Sequence, residues 1–336
     1  MVRRHAQFVN YYKDYQKDEL LLSDFVPNIQ FNISILLESD IFSHQKFLSI
    51  GDLYIKKIRT QYDVSLDFND SSFSMFEESD EYSKIIKNND FKKSYNILKN
   101  NIHGLYRDAL LSSGSINVDG SYMTNRILQK INSFDFLKQI ESLCNFYLDT
   151  NALLYHFIFL LEKNGVKINQ IKWNIVPAVI WELESLGRRS NNIYDVRKAK
   201  SAFRDISHLL SLGVLIVDNN SYEYKEPNDR VIREQIKNSI NNQPIINGIL
   251  KQNYFITFDN IMALASFAEG INTIQFNMPL EHQHWEIKNI THFLSQLSEI
   301  FGTIKITQES HTFYLQGDWP GKSSNHWCNG DIIYFT

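Results

Sequence analysis

Residues 144–155 read CNFYLDTNALLY. An apolar run of strand length ends on a carboxylate at Asp149, a second polar side chain follows at Asn151, and the chain then turns apolar again. NFYLD (145–149) has the composition of a buried parallel strand, and ALLYHFIFLLEKNG (152–165) reads as a helix closing on Gly165. An acid at the junction of such a strand and helix is either a helix cap or part of a ligand site.

Downstream the same alternation continues. WNIVP (173–177), VLIVD (214–218), YFITFD (254–259) and NTIQF (272–276) have strand character. AVIWELESLGRRS (178–190), IYDVRKAKSAFRDISHLLSLG (193–213), NDRVIREQIKNSINN (228–242) and NIMALASFAEG (260–270) have helical periodicity. Strands alternating with helices predict an α/β fold with a mostly parallel sheet covered by helices.

Upstream, FEESDEYSKIIKNNDFKKSYNILKNNIHGLYRDALL (76–111) carries apolar residues at helical spacing, interrupted near Asn88–Asp90. Residues 1–110 read as mostly helical. LSSGSINVDGSY (111–122) is a turn-rich boundary, and 123–143 reads as a further helix. After Pro279, WEIKNITHFLSQLSEIFG (285–302) predicts a helix. TIKITQ and HTFYLQ predict strands, and the tail holds turns and a last strand. The expected organisation is a helical accessory domain over 1–143, an α/β domain over 144–280 and a C-terminal α+β extension over 281–336.

Composition narrows the function classes. The chain has 336 residues, 43% apolar and 21% charged, as in ordinary globular proteins. Its net charge of −4 excludes a broadly basic nucleic-acid binder, so contacts to phosphate must come from local patches. Two cysteines, Cys144 and Cys328, make no disulfide framework. The N-terminus lacks a signal-peptide core, and no stretch reaches membrane-span length, so a cytoplasmic protein without membrane contact is expected.

The acids of the α/β region fall in a pattern. Asp149 ends the first strand, Glu182 lies a turn into the helix after the second, Asp229 opens a later helix, and Asp259 ends a further strand. In a parallel sheet, ligands gather at the carboxyl edge. Acids converging there repel one another, and a hard divalent cation relieves that repulsion. The alternative is that Asp149 and Asp229 are N-caps and Glu182 is a solvated helix residue.

The runs FYLDTNALL, IVPAVIWELESL, NDRVIRE and YFITFDNIMALASFAEGI together resemble the PIN-domain nuclease family, over about residues 144–278. The resemblance implies a PIN-like three-layer domain and a metal-dependent endoribonuclease using Mg²⁺ or Mn²⁺ on RNA. It implies Asp149, Glu182, Asp229 and Asp259 as metal-site acids. Asn151 would orient Asp149 or a bound water, and Thr257 would line the site. The third acid stands alone here, where the family pattern often pairs two, so Glu226 and Asp218 remain rivals to Asp229.

Two basic sets accompany the acids. Arg197, Lys200 and Arg204 share one helical face, and Arg230, Arg233 and Lys237 begin beside Asp229. Each is either a solvated face or a phosphate contact at the crevice rim. GDWPGKSS (317–324) fails the phosphate-loop spacing, and His282 and His284 lack metal-ligand partners. The aromatic tail, including Phe313, Tyr314, Trp319, Trp327, Tyr334 and Phe335, is assigned to a small core rather than to base stacking. The alternative to a nuclease is a non-catalytic PIN-like scaffold that binds RNA or protein. The flanking segments are expected to serve a protein partner or a homodimer contact.

Overall fold

The structure is a computed structural model that describes residues 6–8, 28–37, 46–58, 61–115, 119–124, 127–131, 137, 144–190, 192–218, 223–243, 252–277, 287–308, 311–316 and 332–335. The chain divides into two units. One holds Met1–Ser115, Ser190–Arg197 and His282–Thr336, and the other holds Ile116–Arg189 and Lys198–Glu281.

The N-terminal part of the first unit is not the helical domain that its sequence suggested. It begins with strands β1 (Ala6–Phe8), β2 (Asn28–Leu37), β3 (Lys46–Ile58) and β4 (Gln61–Phe68). The reason is a two-residue period along NIQFNISILL, which places Phe31, Ile33, Ile35 and Leu37 on one buried face. Leu48, Ile50, Leu53 and Ile55 answer them from β3. A bulge in β3 shifts the β2–β3 register at Ile33/Ser34. Gly51 beside it has its Cα so near the Asp67 carbonyl that any Cβ would collide with it.

Helices α1 (Asp70–Glu77), α2 (Asp80–Ile85) and α3 (Asn89–Ser112) follow. The interruption expected near Asn88 is real: the Asn88 side chain accepts the N–H groups of Asp90 and Phe91 and so starts α3. Phe91, Tyr95, Leu98, Ile102, Leu105 and Ala109 then form its buried stripe.

The second unit opens with β5 (Asp119–Thr124) and β6 (Ile127–Ile131), an antiparallel pair where a helix over 123–143 was expected. Then come β7 (Cys144–Leu148), α4 (Thr150–Leu154) and α5 (Phe157–Lys163). The helix expected over 152–165 is broken at His156, which has φ 53°, the left-handed region that side chains rarely adopt. A short 3₁₀ turn (Ile168–Gln170) leads to β8 (Lys172–Ile175), α6 (Pro177–Arg189), α7 (Ile193–Ser211), β9 (Leu215–Val217), α8 (Asp229–Asn241), β10 (Gln252–Thr257), α9 (Asn260–Ala268) and β11 (Thr273–Asn277). The opening residues of α7, up to Arg197, are counted with the first unit.

The sheet order is β6-β5-β11-β10-β7-β8-β9. β11, β10, β7, β8 and β9 are mutually parallel, so this unit is α/β with a five-stranded parallel sheet carrying an antiparallel pair at one edge. Phe146, Trp173, Phe255 and Phe276 are fully buried, as strands covered on both faces require. The chain winds outward from β7 through β8 to β9, then returns to place β10 on the other side of β7. The carboxyl ends of β7 and β10 therefore flank the point where strand order reverses, the usual ligand crevice of such sheets.

The C-terminal segment returns to the first unit with α10 (Ile287–Phe301), β12 (Thr303–Gln308), β13 (His311–Gln316) and β14 (Ile332–Phe335). β12 pairs with β2, giving an antiparallel sheet in the order β1-β14-β13-β12-β2-β3-β4. Ile290, Phe293, Leu297 and Ile300 of α10 are buried, and the Phe293 ring meets Tyr106 of α3 edge-on at 5.4 Å. No helix among the described residues is long and apolar enough to cross a membrane. The segments GDWPGKSS and EHQHW lie outside the described residues.

Candidate functional site

Asp149 stands where β7 stops. Its backbone N–H still donates to the Ile256 carbonyl of β10 at 3.0 Å, so the strand ladder fixes its position. Its side chain is 3% exposed and bonded on both oxygens. Oδ1 accepts the Thr150 N–H at 2.8 Å, and Oδ2 accepts the Thr257 hydroxyl at 2.6 Å. Thr257, fully buried at the end of β10, in turn accepts the Asp259 N–H at 3.0 Å. A hydroxyl has one proton to give, and here it goes to Asp149.

Glu182 enters from α6. The Thr150 hydroxyl donates to Glu182 Oε2 at 2.5 Å, so one threonine ties both acids together. Pro177 opens α6, where its missing N–H costs nothing. The N–H of Ala178 beside it donates to Oε1 of buried Gln235 at 2.8 Å. Gln235 belongs to α8, the helix that Asp229 opens. That one hydrogen bond couples the helix of Glu182 to the helix of Asp229.

The electrostatics follow from this placement. Burial pushes the Asp149 carboxyl up to about 7, with the charges of Glu182 and Asp229 adding to the rise against the hydrogen bonds of Thr257 and Thr150. Burial likewise holds Glu182 above the ordinary carboxylate range, with Asp229 again adding to it while the Thr150 bond opposes. Asp229 itself is exposed. It is not the helix cap: Asn228 is, accepting the Arg230 and Val231 N–H groups. Of the rivals for a third acid, Glu226 is exposed and Asp218 follows β9, and neither is among the charges that raise Asp149 or Glu182.

Asp259 lies on the same sheet edge and, like Asp149 before α4, is a helix N-cap. Its Oδ1 accepts the Ile261 and Met262 N–H groups at 2.7 and 2.8 Å, which makes it the N-cap of α9. Asn151 is half-buried in the first turn of α4. Sequence reasoning singled out Thr257 but passed over Thr150 and Gln235. Thr150 was visible as the middle letter of DTN, whereas nothing local marks Gln235.

Among the described residues no group of three or more His, Cys, Asp or Glu side chains forms a metal cage. The donors at the crevice nonetheless fit one kind of ion. Mg²⁺ keeps several waters and takes one or two carboxylates. Asp149 and Glu182 are two linked carboxylates whose oxygens retain lone pairs, and their charges are mutually unfavourable as they stand.

The basic residues separate. Arg197 is buried in the first unit, with Nη1 donating to the Ile300 carbonyl and the guanidinium filling the space a side chain at Gly302 would need. Lys200 is exposed, and Arg204 donates to Ser201 at 2.8 Å. Arg233 is drawn inward to Glu269 at 2.8 Å. Arg230 is exposed and pairs with Glu234 at 3.0 Å.

No protein-family model matches the chain, and no curated protein matches it. Among solved structures, it is similar to a domain of a functionally unknown protein from Methanocaldococcus jannaschii, at 15% identity and a TM-score of 0.30, over 42% of this chain and 96% of that one.

Proposed function

We propose that the second unit is a metal-dependent endoribonuclease of PIN-like type, with Asp149 and Glu182 as the carboxylates for one Mg²⁺ or Mn²⁺ and Asp229 as the acid at the rim. The observation that carries this reading is the pair of linked carboxylates at the strand switch point, where Thr150 bonds both Asp149 and Glu182. Asp149 is buried and raised to about 7, mainly by burial and further by the charges of Glu182 and Asp229, so its ionised form is one that a cationic ligand would stabilise. A bound divalent cation supplies charge that stabilises a phosphodiester under attack and makes a water more acidic. The chain's own contribution is orientation. Thr257 and the Thr150 N–H hold the Asp149 carboxylate from two sides, and the Thr150 hydroxyl holds Glu182. Asp259 supports this shell by capping α9 and donating its N–H to Thr257.

A second reading, a scaffold that binds RNA or protein without cleaving, is favoured by the cap roles of Asp149 and Asp259, each of which gives one carboxylate oxygen to a helix start. Cleavage of single-stranded RNA with Mn²⁺ or chelator present separates the two. Metal-dependent cleavage that disappears in Asp149→Asn is expected. Mn²⁺-independent cleavage, or cleavage undiminished in Asp149→Asn, contradicts the nuclease reading.

A further inference from the structure

Two aromatic side chains lie close to the acids in sequence and are not part of the buried core. Trp181 immediately precedes Glu182 in α6 and is half-buried. Tyr224 lies on the segment that leads to Asp229 and is 61% exposed, far more than a tyrosine packed for stability needs. The two rings meet at 5.0 Å between centroids, tilted by 58°, so Trp181 fixes Tyr224 from one side and leaves its other surface to solvent. Both residues belong to the second unit.

Charges of both signs lie around Tyr224, with Glu223, Lys225, Glu226, Asp229 and Arg230 all exposed. Lys225 follows Tyr224, and Arg230 lies one residue past Asp229. Both ammonium and guanidinium are well exposed, and both pair with Glu234, at 3.6 and 3.0 Å. On α6, Trp181, Glu184 and Arg188 fall at i, i+3 and i+7, on one face. Arg188 is again exposed and pairs with Glu184 at 2.7 Å. Solvated ion pairs of this kind are weak and exchange readily for a phosphate. A flexible, unpaired strand is bound by rings that accept bases and by exposed cations that track the backbone.

We propose that Tyr224, backed by Trp181, is a stacking platform that takes an unpaired base of single-stranded RNA and delivers the adjoining phosphate to the Asp149–Glu182 crevice. This deepens the nuclease reading and rests on it for the second half of that statement only. Duplex RNA keeps its bases inside the helix and presents none to a lone ring, so the platform selects single strands. Stacking is sequence-tolerant, since every base has a π face.

The test uses the full-length chain with a fluorescent oligoadenylate, an abasic strand of the same length and a duplex, bound in chelator at low salt and read by anisotropy. The wild type is expected to bind oligoadenylate more tightly than either control. Tyr224→Ala is expected to lose about tenfold on oligoadenylate and nothing on the abasic strand. Tyr224→Phe keeps the ring and is expected to bind as the wild type does. Unchanged oligoadenylate binding by Tyr224→Ala overturns the platform, as does a wild type that binds no better than to the abasic strand. The nuclease reading fails separately: a wild type that binds in this Tyr224-dependent way yet cleaves nothing with Mn²⁺ keeps the platform and loses the hydrolase.

Discussion

Asp149 carries opposite obligations at acid and alkaline pH. Its carboxyl is lifted from an ordinary value of 3.8 to about 7 in the folded chain, with burial as the main cause. Between those values the native state binds more protons than the unfolded state, so stability falls as pH rises through that window. The conflict amounts to on the order of 4 kcal/mol once the group is fully ionised. Asp149→Asn removes the charge and keeps the shape. The variant is expected to melt higher than the wild type at alkaline pH and to lose that advantage near pH 4, where the wild-type carboxyl is neutral. Equal melting temperatures across the range would count against the buried charge. Thr257→Val acts the other way. It strips Asp149 of a short hydrogen bond and leaves the Asp259 N–H without its acceptor, for a loss of about 1–3 kcal/mol in chemical denaturation.

Elements are positioned by polar devices buried between them. His156 breaks what the sequence suggests is one helix, and the break is held by its ring: Nδ1 lies 3.1 Å from Asp205, and Nε2 lies 2.9 Å from Ser201, both on α7. His156→Ala removes one partner of a fully buried carboxylate while leaving the left-handed backbone in place, so a loss of about 1–3 kcal/mol in denaturant unfolding is expected. The apolar runs of β7, β8, β10 and β11 were legible because both faces of those strands are covered. α6, α8 and α9 were legible because Pro177, Asn228 and Asp259 mark their starts. β5 and β6 were missed because their residues, DGSYMT and ILQKI, carry no sustained alternation to set against a helical period. In β2 the alternation was present and its neighbour β3 follows directly in sequence, so this pair was legible and was misread as helix, whereas the other neighbour β12 is more than 260 residues away. The acids Asp149 and Glu182 were readable from strand and helix ends. Their linkage through Thr150 was not, because a side-chain bond across 32 positions leaves no local trace.

At the scale of the chain, both termini build one sheet. β2 and β12 pair along Asn32–Ile35 and Ile304–Thr307, and α10 contributes Phe293, Leu297 and Ile300 to the same buried cluster as α3. Removing residues 282–336 therefore leaves an apolar face uncovered in the N-terminal segment. Rapid limited proteolysis within residues 28–112 is expected for the truncated chain, and protection equal to the full-length protein would contradict the shared core. The second unit's acid crevice is the feature on which the functional account depends, and its coupling to a proton is measurable directly. Calorimetric titration with Mn²⁺ at about pH 5.5 and about pH 8 should show binding that strengthens as pH rises, roughly tenfold per unit up to about 7 as Asp149 gives up its proton, with none in Asp149→Asn. Binding that is independent of pH, or that survives unchanged in Asp149→Asn, would place the ion elsewhere and remove the basis for a hydrolytic site at the ends of β7 and β10.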